Sequence, residues 1–175
     1  MNNTFYINME HVYTKFQPEN KMYEGDKEAI LLENKINSLG LTRPDEFIDS
    51  THRVILPGRY LDVCLRGEIA DIIERIKSGE GTNAEILIPL SCVETSYGED
   101  GHDEMDIVGA YFSKKDPHDF SIVSELRYHK VNYKIYDSLD KVICKETLNN
   151  SGTTQIELRI FDNKEEVLEY IQKEE

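Results

Sequence analysis

The sequence predicts an α+β domain: a mainly antiparallel sheet of about eight strands with three helices packed on it. Three observations lead there. Residues 52–93 read as hairpin, helix and strand in succession. Most other apolar positions alternate with a period of two between turn signals, the mark of half-buried strands. Three stretches instead carry apolar residues at i, i+3 and i+4, one face of a helix each. Runs of strands joined by short turns favour antiparallel pairing over βαβ crossovers.

Taken in order, Phe5, Ile7 and Met9 alternate and open a strand whose pattern slips near His11. Residues 17–25 are polar, contain Pro18 and form a loop. Asp26 is placed to cap a helix carrying Ala29, Leu32, Ile36 and Leu39 on one stripe, with Gly40 just past its end. Residues 41–51 are a connection.

The run HRVIL, Pro57-Gly58, RYLDVCL then reads as two strands about a turn. Ile69, Ile72, Ile73 and Ile76 recur at i, i+3, i+4 and i+7 and define the central helix, stopped by Gly79-Glu80-Gly81. Ile86, Ile88, Leu90 and Cys92 share one face of the following strand. Pro89 cannot donate to a ladder, which predicts an edge position or a bulge there.

Residues 94–106 hold six carboxylates and no Lys or Arg, a long acidic loop between that strand and an expected strand at 106–113. Residues 120–136 read as one long or two short strands with a break near His129-Lys130. A final strand pair is expected across the turn Asn149-Asn150-Ser151-Gly152. Asp162 and Glu165 resemble a capping box before a last helix with Val167, Leu168 and Ile171 inward.

A chain of 175 residues is one domain and buries enough surface to stand without staples. Its 20 Lys and Arg against 34 Asp and Glu leave a formal net charge of -14. Binding to a phosphate backbone requires a basic face, so direct nucleic-acid binding is not expected. Docking on an anionic membrane is disfavoured for the same reason, and no apolar run approaches a membrane span. The field suits a basic protein partner.

Cys64, Cys92 and Cys144 form no C-x-x-C pair and sit in apolar runs, so they read as small buried hydrophobes of a reducing cytoplasm. The N-terminus shows no basic segment followed by an apolar core. Cytoplasmic location is the expectation.

Glu99, Asp100, Asp103, Glu104 and Asp106, with His102, are the conspicuous polar cluster. They are the hard ligands a divalent cation takes, but their spacing does not follow the EF-hand pattern. A solvated loop or a protein-contact surface fits them better. His11, His52, His102, His118 and His129 show no metal-ligand spacing, and Cys92 lacks a sequence-adjacent base. No phosphate-binding glycine loop, nucleophile elbow or kinase motif occurs, so no catalytic residue, metal or cofactor is assigned.

The run VILPGRYLDVCLRGEIADIIERI, residues 54–76, resembles the strand, PG turn, strand, Gly and helix entry of GyrI-like effector-binding domains, the small-molecule modules also found on MerR-type regulators. The resemblance implies an apolar pocket lined by aromatics and a carboxylate that receives bulky, often cationic compounds, with Tyr60 among its walls. The second repeat of that family has no counterpart: LRYHKVNYKIYD is not followed by a helix. Two expectations result. One is a non-enzymatic acidic protein acting on a macromolecular partner, as inhibitors, immunity-type proteins and nucleic-acid mimics do, through Glu99, Asp100, Asp103, Glu104 and Asp106. The other is a small-molecule effector-binding domain.

Overall fold

Helical periodicity reaches further along this chain than alternation does, and that decides the architecture. The computed structural model describes residues 5–9, 24–40, 51–58, 61–80, 83–93, 107–113, 121–149 and 155–173. These contain five α-helices and one mixed sheet. The strands are β1 (Tyr6–Ile7), β2 (Thr51–Ile55), β3 (Asn83–Pro89), β4 (Asn132–Tyr136), β5 (Val142–Glu146) and β6 (Gln155–Phe161). The helices are α1 (Glu24–Ser38), α2 (Arg66–Arg75), α3 (Ile107–Phe112), α4 (Ile122–Tyr128) and α5 (Lys164–Lys173).

The sheet has five full strands and the two-residue β1 at one edge, in the order β1-β2-β3-β6-β4-β5. Only β4 and β5 run antiparallel; the other neighbours are parallel. The expected eight-stranded, mainly antiparallel sheet with three helices is therefore incorrect. The physical reason lies in three segments whose apolar residues satisfy both periods.

The first is residues 61–65. Leu61, Cys64 and Leu65 are buried in one cluster with Ile69, Ile72, Ile73 and Ile76, so the helical stripe begins well before α2. Leu61–Leu65 winds as a wider, π-type turn that continues into α2 through Leu65 at φ -68°, ψ -40°. Burying each of these side chains contributes roughly 1.5–3 kcal/mol, more than a short second strand would gain from its ladder. With 61–65 helical, β2 and β3 are joined by a helix and pair in parallel. The strand-turn-strand entry implied by the GyrI-like resemblance is accordingly not built. Pro57-Gly58 leads from a strand into a helix, and a Cβ on Gly58 would lie 1.8 Å from Leu65 Cδ1.

The second segment is α3, expected as a strand, whose Tyr111 and Phe112 are buried. The third is α4, also expected as a strand. Ser121 accepts from the Ser124 backbone N–H at 3.0 Å and caps it, while Ile122, Val123 and Leu126 face inward. The chain leaves α4 through Lys130 in the left-handed region (φ 54°), at the expected break.

The expected pairing of residues 140–148 with 153–162 does not occur either. β5 pairs with β4, and β6 inserts between β3 and β4, parallel to both. Pro89 is neither on an edge strand nor at a bulge: it is the last residue of the interior strand β3, past the last β2–β3 pair at Ile55 and Leu87, so the ladder on the β2 side has already ended there. Leu90–Cys92 then turns away as a single 3-10 turn, so Leu90 and Cys92 do not extend the strand.

Several expectations are met. Phe5, Ile7 and Met9 are buried together. Ala29, Leu32 and Ile36 form the inner face of α1, and Gly40 ends it at φ 68°, whereas Leu39 stays exposed. Asp26 lies inside the first turn of α1, not at its cap. The box before α5 is present one residue later than read: Asn163 Oδ1 accepts from the Glu166 N–H, and Glu166 Oε2 accepts from the Asp162 N–H, both at 3.0 Å.

Helices pack on both faces. One face of the sheet, with Val54, Ala84, Ile86, Ile88, Ile156, Leu158, Tyr133, Ile135 and Cys144, is covered by α2, α3 and α4. The other buries Ile55, Leu87 and Phe161 beneath α1 and α5. That second face is apolar only toward the C-terminal ends of its strands.

Candidate functional site: a polar face on the sheet

Strands buried on both faces read as continuous apolar runs. β3 and β6 do so on one face alone. On the other, β3 presents Asn83, Glu85 and Leu87, and β6 presents Gln155, Glu157, Arg159 and Phe161. In-register pairing converts this alternation into rows. Arg53 on β2 lies opposite Glu85, Glu85 opposite Glu157, Glu157 opposite Lys134 on β4, and Lys134 opposite Lys145 on β5. One charged row thus crosses five strands. Asn83 and Gln155 pair in the row on one side of it. On the other side, Arg159 stands in register with Leu87 and Tyr136.

Glu85 is the hub. Its Oε1 accepts from Arg53 at 3.1 Å, its Oε2 accepts the Tyr170 hydroxyl hydrogen at 3.0 Å, and Arg159 Nε lies 3.9 Å away. The Arg53 and Glu85 side chains are 9% and 14% exposed, so this pair is held largely out of water. Arg53 also stacks over the Phe5 ring at 4.0 Å. Arg159 is clamped between aromatics, 4.2 Å from the Tyr136 ring centre and 5.1 Å from that of Tyr170, and pairs with Asp140. Burial works against its charge. The Asp140 hydrogen bond, with Tyr170 and Glu85 nearby, outweighs that and holds Arg159 above the ordinary arginine value. Its Nε has no hydrogen-bond partner among the described residues.

Two cavities open on this face, on either side of the Glu85–Arg159–Tyr170 wall. The larger, about 610 Å³, lies at the C-terminal ends of β4 and β6. The β4–β5 turn supplies Asp137, Leu139 and Asp140, and α5 supplies Glu166, Glu169, Tyr170 and Lys173. The crevice beyond the strand carboxyl ends, where chains from neighbouring strands diverge, is where open sheets commonly bind ligands. The smaller cavity, about 210 Å³, is floored by Asn83, Ala84, Glu85, Gln155 and Glu157. Together the linings hold six carboxylates (Asp137, Asp140, Glu166, Glu169, Glu85 and Glu157) against two cations, Arg159 and Lys173.

Such an arrangement receives positive charge and hydrogen-bond donors. Among the described residues, no group of three or more His, Cys, Asp or Glu is placed to hold a metal ion. Cys92 is buried, and burial pushes its thiol up to about 12, opposed in small part by a contact with Ser91. It packs with Leu87, Phe161 and Ile171 as a small hydrophobe. Cys64 and Cys144 are likewise buried and free. His129 bridges two helices, with Nε2 at 3.0 Å from Glu125 and Nδ1 at 3.3 Å from Glu74, a structural position between α4 and α2.

Glu99, Asp100, Asp103, Glu104 and Asp106 lie outside the described residues, as do His11, His102, His118 and Tyr60. Sequence reading missed Glu85, Glu157, Arg159 and Asp140. The signal was present: N-x-E and Q-x-E-x-R place polar residues on one face of strands whose opposite face is wholly apolar. No protein-family model matches the chain, and no curated protein or solved structure does either. Among the described residues, no helix is long and apolar enough to cross a membrane.

Proposed function

We propose that this chain is a non-enzymatic binding protein that acts on a basic protein partner, in the manner of inhibitors, immunity-type proteins or nucleic-acid mimics. One observation carries the reading: the two cavities on the polar sheet face are lined by six carboxylates against two cations, one of which Asp140 already neutralises. The net charge of -14 extends the same sign over the whole chain and would steer a basic partner toward it. Leu139, 86% exposed at the tip of the β4–β5 turn, adds an apolar contact at the rim of the larger cleft. Glu99, Asp100, Asp103, Glu104 and Asp106 supply a second acidic surface in this proposal.

The test is co-purification from the native host's lysate at low and high salt, using the wild type and two variant sets. One set reverses charge at Glu99, Asp100, Asp103 and Glu104; the other neutralises Asp137, Glu166 and Glu169 as Asn and Gln. A basic partner retained at low salt and shed at high salt supports the proposal, and the set that loses it identifies the surface. Binding that survives both sets sinks it.

A second reading rests on the larger cleft alone. Its volume is in the range of small-molecule sites, and Phe161, Tyr170 and Leu139 provide apolar walls beside the carboxylates. In that reading a bulky organic cation is the ligand. A melting temperature unmoved by a panel of hydrophobic cations counts against it.

A further inference from the structure

We infer that the 210 Å³ pocket floored by Asn83, Glu85, Gln155 and Glu157 is a seat for one guanidinium group, an arginine side chain presented by the partner. This rests on the basic-partner reading and names the chemistry of one subsite.

The pocket floor is a grid of two rungs, Asn83 opposite Gln155 and Glu85 opposite Glu157, across neighbouring parallel strands. Like charges placed directly opposite in a sheet are destabilising, and a polar face on central parallel strands breaks the usual pattern. Departures from local rules concentrate at functional positions. Beside the engaged Glu85, the other three side chains offer one carboxylate, Glu157, and two amide carbonyls on one flat surface. That set matches a planar fork of five N–H donors better than a compact ammonium.

The neighbouring charges leave Glu157 as the acceptor. Both oxygens of Glu85 are engaged, Oε1 by Arg53 and Oε2 by Tyr170. Arg159 is taken by Asp140. Glu157 has Lys134 opposite it in register, yet it forms no ion pair among the described residues. The same face already holds guanidinium groups in two places, Arg53 on Glu85 over Phe5 and Arg159 on Asp140 between Tyr136 and Tyr170. A third, supplied from outside, would meet a carboxylate flanked by the carbonyls of Gln155 and Asn83. An incoming divalent cation would find one free carboxylate and is the poorer match.

The experiment titrates the full chain with acetyl-Gly-Arg-Gly-amide and its Lys and citrulline counterparts, followed by nitrogen-15 NMR. Citrulline keeps the shape of arginine and removes the charge. The expected result is saturable movement of the Asn83 and Gln155 side-chain amide signals with the Arg peptide. The Lys peptide should bind at least threefold more weakly, and the citrulline peptide should leave these signals still. Glu157→Gln should weaken the Arg peptide about tenfold, with Glu157→Asp intermediate. If Glu157→Gln does not fold, the arginine-to-citrulline comparison on the wild type decides alone. Equal effects of Arg and citrulline overturn the inference, and so does the absence of any movement. Arg-specific shifts at Asp137, Asp140 and Glu169 instead would overturn this seat while leaving the basic-partner reading intact. Loss of the salt-sensitive partner itself would remove that reading.

Discussion

Asp140 pairs with Arg159 from the left-handed region of backbone space, at φ 63°. Few residues besides glycine adopt that conformation at small cost, aspartate and asparagine among them. The position closes the β4–β5 turn, whose register shifts between Ile135 and Tyr136. Glycine would suit the backbone better, so the carboxylate at this point serves the pairing with Arg159. Asp140→Ala is expected to be less stable than Asp140→Gly by about 1 kcal/mol in urea denaturation, because both lose the carboxylate and only alanine keeps the backbone strain. Asp140 is largely exposed, so the ion pair itself contributes at most about 1 kcal/mol and fades with salt. Equal stability of the two variants would show that the turn is not strained.

Tyr133 donates its hydroxyl hydrogen to Glu146 Oε2, and Arg127 holds the same carboxylate through Nε at 2.8 Å and Nη2 at 3.1 Å. Burial raises the Tyr133 phenol well above its ordinary value, with the hydrogen bonds to Glu146 and Cys144 adding to it. A folded-state value above the unfolded one contributes stability that is fully present below the unfolded value and lost as pH rises past it. Stability should therefore fall above about pH 10, where the unfolded chain releases this proton and the folded chain retains it. Tyr133→Phe should cost about 1–2 kcal/mol at neutral pH and remove part of that alkaline slope. An unchanged slope in Tyr133→Phe would place its origin elsewhere.

What the sequence made legible follows from how many periods each segment satisfied. In α1 the stripe of Ala29, Leu32 and Ile36 ends at Gly40 and fits a helix alone, although Leu39 on the expected stripe stays exposed and Asp26 lies inside the first turn. In α5 the stripe was likewise unambiguous, and only the cap slipped by one residue. Residues 61–65 and 107–112 are apolar at adjacent positions, so alternation and helix fit equally well until their partners in the core are known. That ambiguity propagated: reading 61–65 as a strand turned a parallel pair into a hairpin and the whole sheet antiparallel. Strand order was beyond reach for a different reason, since β6 reaches its place between β3 and β4 through non-local pairing. The polar face was hidden with it, because Glu85 and Glu157 are 72 positions apart and meet only through that insertion.

Gly58 is where the chain turns from β2 toward the helical stretch, and the space beside it is already filled by buried Leu65. Gly58→Ala should destabilise by roughly 1–3 kcal/mol, as over-packing does. Shortening Leu65 in the same chain should recover part of that loss, so the double variant should be more stable than the sum of the single changes predicts. Additive costs would mean that the two side chains do not meet.

The three cysteines test the two-sided packing directly. Cys64 and Cys144 belong to the cluster under α2 and α4, and Cys92 to the one under α1 and α5. All are free and buried. A thiol reagent at pH 8 should react with none of them on the timescale of mixing and with three per chain in denaturant. Cys92 carries a pH signature as well. Burial raises its thiol from 9.0 to about 12, so its contribution to stability is fully present below pH 9 and is lost as pH climbs from 9 toward 12. Cys92→Ala should flatten that part of the curve while costing stability at neutral pH through the small cavity it leaves. Rapid labelling of Cys92 in the native protein would mean that α1 and α5 do not close over the C-terminal end of β3.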